Sequence, residues 1–477
     1  MTSAKAQSVV PNLINGQPVT GTASLDVHDP FTGEVVAPVA MIGPSDLQQA
    51  LEIAEQGGPP LTRHQRSEVL RRAGQLLAER AETFANLICR ESGLCIRDTT
   101  YEVGRAQDVL HFAAIEALQD DGRVFSCDVT AQGKERKIFT TRESVRMVAA
   151  ITPFNHPLNQ VVHKLAPAIA VGAPMVLKPS EKTPLTALRF AELLYEAGLP
   201  SWMLSVIVGP IETVVEPMIR DQRTEVISFT GSVGVGKRIA SIAGYKKLCL
   251  ELGGNSPLIV LEDANLDLAV QLAAEGCFRN SGQRCTSVKR VLVQQSVLAS
   301  FTDRFVERSR DYHCGNPSDP EIRVGTVIDE PAAQLLEQRV QDAVSAGGRV
   351  LLGGRRRGAL MEPTVIADVP RDAEMVVHES FGPLAPILPV RDLDDAISLA
   401  NATAYGLSCG VVTESLDTAL RAVKEIHTGT VNVNEVPGYR LESSPFGGIK
   451  DSGLGIKEGV IEAAHFLTNV KTFSLPW

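Results

Sequence analysis

The sequence predicts an α/β protein with two parallel-sheet lobes and a small separate β element. Between residues 145 and 232, short apolar segments alternate with helical ones: VRMVAAITP, APMVLKPS, LSVIVGP and EVISFTGS. A second alternation starts near residue 250, with SPLIVLE, VKRVLVQQ, APILPVRD, LSCGVVTE and TVNVNE as its strands. Strands that are apolar throughout and separated by helices are typical of a parallel sheet covered on both faces. Two such runs therefore predict two sheets.

The third observation is a ribbon-like segment over residues 124–145. VFSCDVTAQGKERKIFTTRES contains two strand-like runs around a charged turn. An isolated two-stranded ribbon is marginally stable, so we expect it to pair elsewhere.

Helices are predicted before this ribbon. Apolar residues at helical spacing predict one long helix over 64–91 and another over 100–118. Ser45 is a candidate N-cap for a helix over DLQQALEIAEQ.

Composition excludes several classes of function. The chain has 477 residues, with 46 Lys and Arg against 56 Asp and Glu, for a net charge of −10. A nucleic acid or an acidic membrane surface would need a basic footprint. The longest apolar run, LAPAIAVGAPMVL, is too short for a membrane helix, and two prolines interrupt it. The N-terminus lacks the apolar core of a secretory signal. The eight cysteines form no CxxC pair and no zinc pattern. We therefore expect a cytoplasmic protein without a metal ion or disulfides.

Two segments are candidate cofactor-binding loops. In SFTGSVGVGKRIA, a strand runs into Gly231, Gly234 and Gly236 before a helix starts, so the backbone N–H groups at the helix start, with Ser232, are suited to hold a phosphate. The spacing differs from GxGxxG, and a simple tight turn is an equal alternative. In VLKPSEKTP, Lys178 and Glu181 follow a strand, where they are placed to bond ribose hydroxyls. A carboxylate there would repel a 2′-phosphate and favour NAD over NADP. A solvated loop is the alternative.

Three further segments contain candidate catalytic residues. Cys285, in NSGQRCTSVKR, follows Arg284, and a nearby cation favours the reactive thiolate. Most lone cysteines are inert core residues, and the sequence alone leaves that alternative open. Glu251, in LELGGNSP, lies among apolar residues, which raises a carboxyl pKa and suits a general base; a glutamate paired with lysine is the alternative. Asn155, in ITPFNHPLNQ, follows a strand, where its amide can stabilise an oxyanion.

Several motifs together resemble those of the NAD(P)-dependent aldehyde dehydrogenases along nearly the whole chain. They are PFN (153–155), KPSE (178–181), FTGS (229–232), ELGG (251–254), GQRC (282–285), ESFGP (379–383), PFGG (445–448) and SGLG (452–455). The resemblance implies a cofactor domain over 1–122 and 146–250 and a catalytic domain over 251–440. It also implies an oligomerisation element over 123–145 and 464–477, in a homodimer or homotetramer. Residues 441–463 would return to the cleft.

The resemblance also implies site roles. Cys285 would be the nucleophile and Glu251 the base, with Asn155 and the Cys285 backbone N–H as the oxyanion hole. Lys178 and Glu181 would hold the adenosine ribose of NAD. The implied cofactor-binding residues are Thr152, Pro153, Lys178, Ser180, Glu181, Gly209, Thr230, Gly231, Ser232, Leu252, Glu379 and Phe381.

The implied substrate positions are Arg105, His156, Arg284, Thr286 and Arg440. A guanidinium fork matches phosphate or phosphonate oxygens, so three arginines predict a small anionic aldehyde. The overall likeness favours phosphonoacetaldehyde, which would place the protein in 2-aminoethylphosphonate breakdown. Glyceraldehyde 3-phosphate, lactaldehyde, succinic semialdehyde and sulfoacetaldehyde are alternatives. A CoA-acylating enzyme and a catalytically inactive binding or structural protein on the same fold are further alternatives.

Overall fold

The computed structural model describes residues 8–455 and 458–477. The strands are β1 Asn12–Ile14, β2 Gln17–Val19, β3 Ala23–His28, β4 Val35–Met41, β5 Val124–Ser126, β6 Arg136–Ser144, β7 Val148–Ile151, β8 Met175–Lys178, β9 Leu204–Val206, β10 Val226–Thr230, β11 Lys247–Glu251, β12 Pro257–Val260, β13 Arg290–Gln294, β14 Arg349–Leu352, β15 Arg356–Arg357, β16 Leu360–Met361, β17 Thr364–Ala367, β18 Leu384–Val390, β19 Tyr405–Gly406, β20 Ser408–Val412, β21 Thr430–Val433, β22 Ile449–Lys450 and β23 Thr468–Pro476.

The α-helices are α1 Pro44–Gln56, α2 Arg63–Glu79, α3 Ala81–Ser92, α4 Ile96–Glu116, α5 Asn159–Val171, α6 Pro184–Glu196, α7 Glu216–Arg220, α8 Val233–Ile242, α9 Leu266–Phe278, α10 Leu298–Ser309, α11 Glu330–Ser345, α12 Glu374–Val377, α13 Leu393–Asn401, α14 Leu416–Glu425 and α15 Val460–Phe466. Short 3₁₀ turns span Ser201–Met203 and Arg279–Gly282, and a π turn spans Ile211–Val215.

The first sheet has the order β11-β10-β7-β8-β9-β1-β2. Its first five strands are parallel, and β1 and β2 continue it antiparallel. Alternate side chains enter two cores: Val148 and Ala150 pack with α2 to α6, whereas Ala149 and Ile151 pack with α1, α7 and α8. Both faces are therefore covered, which explains why these strands are apolar throughout.

The second sheet has the order β14-β17-β18-β13-β12-β20-β21. It is parallel except at β14, which pairs antiparallel with β17. Ile259 and Leu292 enter one core, and Leu258 and Val291 enter the other. The predicted α/β class with two parallel-sheet lobes is confirmed.

The predicted ribbon forms a third, small sheet with the order β23-β6-β5. The C-terminal strand β23 pairs with all of β6, from Thr468 opposite Ser144 to Pro476 opposite Arg136. The ribbon is thus stabilised by pairing elsewhere, as expected.

Two helix predictions were wrong in detail. The segment 64–91 is two helices, because Arg80 leaves helical geometry at φ −115° and ψ 17°. Helix α1 begins at Pro44, so Ser45 is not its N-cap. The Asp46 carboxylate instead accepts the Gly43 N–H at 3.0 Å. A carboxylate in the first turn also suits the helix dipole.

One missed strand matters for the site. We did not predict β11, because KLCLE is short and begins with a lysine. This strand forms the edge of the first sheet and ends at Glu251. The expected domain boundary at 250/251 therefore falls inside a strand.

We searched residues 8–455 and 458–477 for membrane-spanning helices, metal sites and disulfides. No helix there is long and apolar enough to cross a membrane. Nor does any group of three or more His, Cys, Asp or Glu side chains in those ranges have the arrangement of a metal site. All eight cysteine thiols are free.

Candidate active site

The loop before Cys285 has an uncommon backbone. After α9, Asn280, Ser281 and Gly282 take φ values of 59°, 52° and 67°. Only glycine fits at the third position, since a Cβ on Gly282 would lie 2.1 Å from the Gly382 carbonyl oxygen. Successive left-handed residues are costly and persist only where the surroundings enforce them. The loop is therefore held from outside.

Contacts from both lobes fix that loop. The Asp98 carboxylate of α4 accepts the Asn280 N–H at 2.9 Å. The Asn155 amide donates to the Gln283 carbonyl at 2.9 Å, and Asn280 Nδ2 donates back to the Asn155 carbonyl at 3.2 Å. Gln283 Oε1 accepts the Ile328 N–H at 2.9 Å. These bonds place Asn155, predicted from sequence, beside the chain that leads to the thiol.

Arg284 does not act as we expected from its position. Its Nη2 donates to the carbonyls of Glu275 and Gly276, at 3.1 and 3.0 Å, in the last turn of α9. Those carbonyls carry the negative end of the helix dipole. The guanidinium therefore caps a helix, and burial lowers its pKa to about 10. This geometry gives Arg284 a structural role that we did not predict, beside its charge interaction with Cys285.

The thiol of Cys285 is protonated at neutral pH in this environment. Desolvation, followed by the charge of Glu379, raises its pKa to about 11. Lys289 and Arg440 oppose this shift, and Glu251 adds to it. The cations that most favour the thiolate are thus Lys289 and Arg440, although Arg284 also interacts with the charge of Cys285.

Glu251 ends β11 and is 4% exposed. The chain around it is fixed by the SGLG motif: the Leu252 N–H donates to the Ser452 carbonyl at 3.0 Å, and Ser452 Oγ donates to the Gly253 carbonyl at 2.7 Å. The charge of Glu251 contributes, as the smallest of the named causes, to the raised pKa of the Cys285 thiol.

The predicted cofactor residues gather at one edge of the first sheet. Thr152 and Pro153 follow β7, Lys178 ends β8, and Gly209 lies three residues beyond β9. The remaining ones on this edge are Ser180 and Glu181 after β8, Thr230, Gly231 and Ser232 at the end of β10, and Leu252 after β11. Ligands of open α/β sheets bind at this carboxyl edge.

Local contacts fit a nucleotide at this edge. Ser232 is the N-cap of α8, and its hydroxyl accepts the Val235 N–H at 3.5 Å, so the helix N-terminus faces the edge. The Thr230 hydroxyl is buried without a hydrogen-bond partner in the described part of the chain. Lys178 Nζ pairs with the Glu181 carboxylate at 2.5 Å. The glycines of SVGVG do not form the turn itself, as we had expected, because Gly234 and Gly236 lie inside α8.

Glu379 and Phe381 connect this edge to the thiol. The Glu379 carboxylate accepts the Gly254 N–H at 3.1 Å and lies 3.6 Å from Lys289 Nζ. A Cβ on Gly253 would lie 2.3 Å from Glu379 Oε2, which explains the glycine there. The Phe381 ring meets Phe154 edge-on, with centroids 5.9 Å apart.

A cavity of about 340 Å³ opens onto Cys285. All five predicted substrate residues line it: Arg105, His156, Arg284, Thr286 and Arg440. Arg105 is paired with Glu442, whose other oxygen lies 2.6 Å from His163 Nε2. Arg440 stacks on the Phe446 ring at 3.9 Å, and burial lowers its pKa. Its Nη1 is buried and has no hydrogen-bond partner among residues 8–455 and 458–477.

Sequence reasoning missed several residues of the site. Asp98, Arg279 and Glu102 line the cavity, and Lys289 and Glu442 balance its charges. Of these residues, Lys289 lies in the segment NSGQRCTSVKR that we singled out for Cys285, but we assigned it no role. The signal for Lys289 was present, since a lysine opening the apolar strand VKRVLVQQ needs a buried partner.

A thiol, a buried carboxylate and a nucleotide-binding sheet edge define a class: nicotinamide-dependent oxidoreductases that act through a cysteine. The chain matches the model of the aldehyde dehydrogenase family over residues 18–473 and belongs to that family. It is 37% identical over 463 residues to 3-sulfolactaldehyde dehydrogenase from Priestia aryabhattai, with 97% of each chain covered.

Solved structures agree. Aldehyde dehydrogenase 21 from Physcomitrella patens, in complex with the reaction product succinate, has a TM-score of 0.95 and 34% identity, with 99% of each chain covered. Glyceraldehyde-3-phosphate dehydrogenase GapN from Methanocaldococcus jannaschii, complexed with NADP, has a TM-score of 0.91 and 34% identity, with 96% of this chain and 100% of that chain covered. The protein is therefore an aldehyde dehydrogenase with a nicotinamide cofactor.

Proposed function

We propose that this enzyme oxidises a small anionic aldehyde with NAD, and that the aldehyde is phosphonoacetaldehyde, which gives phosphonoacetate. The observation that carries this proposal is Arg440, which lines the same cavity as Cys285 and has a buried Nη1 without a hydrogen-bond partner among residues 8–455 and 458–477. A buried N–H without an acceptor costs free energy that a bound oxyanion would recover.

The charges around the cavity support this assignment. Arg105 is neutralised by Glu442, so Arg440 is the arginine left to meet a substrate charge. The buried Nε of Arg284 also has no acceptor in the described part of the chain, and the Thr286 hydroxyl lines the same cavity. Two N–H donors and a hydroxyl suit the several oxygens of a phosphonate.

The cavity volume supports a small substrate. At about 340 Å³ it lies at the lower end of ligand-binding cavities. The Priestia relative is named for 3-sulfolactaldehyde, another short aldehyde with an oxyanion group. A sulfonate carries one negative charge and a phosphonate up to two, so the two arginines Arg284 and Arg440 in the cavity wall favour the phosphonate.

Cys285, Asn155 and Glu251 each carry one step of the proposed reaction. The Cys285 thiol loses its proton to solvent, and the resulting thiolate forms a bond to the aldehyde carbon while the carbonyl electrons move to oxygen. Asn155 has a second amide N–H besides the one that Gln283 uses, and it donates to that oxyanion. A nicotinamide cofactor held at the sheet edge would supply the hydride acceptor for this carbon, and Cys285 would then carry the acyl group as a thioester. Glu251 takes a proton from water, which attacks the thioester and releases the acid and the thiol.

Residues of the cofactor edge favour NAD. We assign Lys178 and Glu181 to the adenosine ribose, because the two side chains form a pair at the end of β8. The Glu181 carboxylate would repel a 2′-phosphate at that point. We assign Ser232 to the pyrophosphate and Glu379 to the nicotinamide ribose, with Phe381 near the ring.

The test compares kcat/KM for phosphonoacetaldehyde and propionaldehyde in wild-type enzyme and Arg440→Gln. A lost buried charge contact should lower kcat/KM for phosphonoacetaldehyde about 100-fold and that for propionaldehyde less than about threefold. Arg189→Gln, on the surface of α6, is the matched control and should change neither. Equal losses on both aldehydes would contradict anion recognition by Arg440.

A comparison of kcat/KM across a panel of aldehydes identifies the substrate. Phosphonate, sulfonate, phosphate and carboxylate aldehydes of two to four carbons should be compared, with and without CoA. A higher kcat/KM for 3-sulfolactaldehyde or glyceraldehyde 3-phosphate would replace phosphonoacetaldehyde as the substrate. A rate that depends on CoA would reject water activation by Glu251.

The same proposal includes the expected domain organisation and a homo-oligomer. The outer strand β23 exposes apolar side chains, with Val470 57% and Leu475 46% exposed. A long apolar edge strand promotes pairing with another chain. Val470→Glu with Leu475→Glu should shift the mass measured by light scattering toward the monomer. Leu416→Glu, at an exposed residue of α14, should not.

A further inference from the structure

A cluster of arginines lies beside the substrate cavity, and we call it the mouth cluster: Arg97, Arg279, Arg308 and Arg323. They line a second cavity of about 460 Å³. Asp98, Tyr101, Gln271, Glu275 and Arg279 line both cavities, so the two adjoin. An anion bound at the mouth cluster is therefore next to the cavity that holds Cys285.

The charges of the mouth cluster are only partly balanced. Arg279 lies 3.4 Å from Asp98 and 3.3 Å from Glu275, and Arg308 pairs with Asp311 at 2.7 Å. Neither Arg97 nor Arg323 forms an ion pair with any residue of 8–455 or 458–477. The cavity thus retains net positive charge.

Arg97 and Arg323 are held differently, but no carboxylate in the described part of the chain forms an ion pair with either charge. Arg97 lies in the first turn of α4, where the helix dipole disfavours a cation. Its charge and the helix N-terminus thus add to one positive field. Arg323 stacks over the Tyr312 ring at 5.5 Å, and Arg279 over Tyr101 at 3.9 Å, which holds the two guanidinium planes in the cavity wall.

We propose that the mouth cluster is a second anion site, which binds a phosphate- or phosphonate-class dianion before it enters the cavity of Cys285. The whole chain carries a net charge of −10 and would otherwise repel such a ligand. A local positive field at a cleft raises the concentration of anions there and speeds their capture. The role as an entry site rests on the proposed anionic substrate, whereas the binding of phosphate itself does not.

Inorganic phosphate is the probe for this site. It is titrated by calorimetry into wild-type enzyme, the double variant Arg97→Gln/Arg323→Gln, and Arg440→Gln. The matched control is Arg71→Gln/Arg189→Gln, which removes the same charge from exposed surface pairs of α2 and α6. Unchanged circular dichroism and melting temperature show that each variant is folded.

We expect wild-type enzyme to bind phosphate at the mouth cluster, and the double variant to bind it about tenfold more weakly, the scale of two partly exposed charge contacts. The control should match wild type. Phosphate binding that is equal in the double variant and the control overturns this inference. Phosphate binding in the cavity of Cys285 should be lost in Arg440→Gln, and this loss tests the substrate proposal separately. Failure of the substrate proposal can therefore be distinguished from failure of the proposal for the mouth cluster.

A kinetic arm identifies the source of the anion. At low ionic strength and without phosphate, kcat/KM for an anionic aldehyde should fall several-fold in the double variant, and that for propionaldehyde should not. This result assigns the site to incoming substrate. Weaker phosphate binding with unchanged kcat/KM assigns it to free phosphate as a second ligand.

Discussion

Removing the charge of Glu379 should make the Cys285 thiol more reactive at neutral pH. The Glu379 carboxylate is held by the Gly254 N–H at 3.1 Å, and a Cβ on Gly254 would lie 2.5 Å from the Cys285 carbonyl oxygen. The negative charge therefore lies against the segment that carries the thiol. After desolvation, it is the largest cause of the raised pKa of Cys285.

The expected change in the thiolate fraction of Cys285 follows from its raised pKa. With a thiol pKa of about 11, roughly 0.1% of Cys285 is thiolate at pH 8. Glu379→Gln removes a like charge and leaves Lys289, 3.6 Å from that carboxylate, uncompensated. Both changes lower the thiol pKa. A shift of about one unit would raise the thiolate fraction about tenfold at fixed pH below the midpoint.

The assay is alkylation by iodoacetamide in cofactor-free enzyme, with the label on Cys285 quantified by mass spectrometry from pH 6 to 10.5. Only the thiolate reacts, so the wild-type rate should rise about tenfold per pH unit without reaching a plateau. Glu379→Gln should raise the rate at pH 8 about tenfold, and the surface control Glu192→Gln should leave it unchanged. A wild-type plateau near pH 8.5, or equal rates in Glu379→Gln and the control, would refute this electrostatic account.

Three further predictions concern the same site. Cys285→Ala should abolish NADH formation, measured at 340 nm, and leave the Kd for NAD within about threefold, since the predicted cofactor contacts lie elsewhere; turnover that survives would reject the nucleophile. Gly253→Ala places a Cβ 2.3 Å from Glu379 Oε2 and should weaken NAD binding about tenfold in a fluorescence titration, whereas an unchanged Kd would remove Glu379 from the cofactor site. Asp98→Asn should lower kcat about tenfold with little change in the Kd for NAD, because the loop at Asn280 loses a charge-assisted hydrogen bond; unchanged kcat would show that this bond does not position the loop.

Much of the fold could be predicted from the sequence. Strands such as VAAI and PLIV are apolar at every position because both faces of their sheets are buried, and that pattern is visible in one dimension. It was also predictable that Lys178 and Thr230 lie at the same edge of the sheet, since parallel strands end at one edge. The family resemblance brought the five substrate positions together, and the structure places all five on one cavity wall.

The predictions that were wrong or missing concern the direction in which a side chain points and the residue with which it pairs. The order of residues in RC says that Arg284 and Cys285 are neighbours, but not that the guanidinium turns toward the end of α9. The pairing of Arg105 with Glu442 joins positions 337 residues apart, and no local pattern encodes it. The break at Arg80 was missed because both helices continue the same apolar spacing.

None of the residues predicted to hold the cofactor lines the cavity beside the thiol. A lineage can therefore exchange one acid product for another by altering cavity residues such as Arg440 or Thr286 while it inherits the nucleotide contacts intact. The converse also holds, since a change of coenzyme preference near Glu181 would leave recognition of the aldehyde undisturbed. This partition offers a physical reason why one scaffold accommodates aldehydes as different as those named for its relatives.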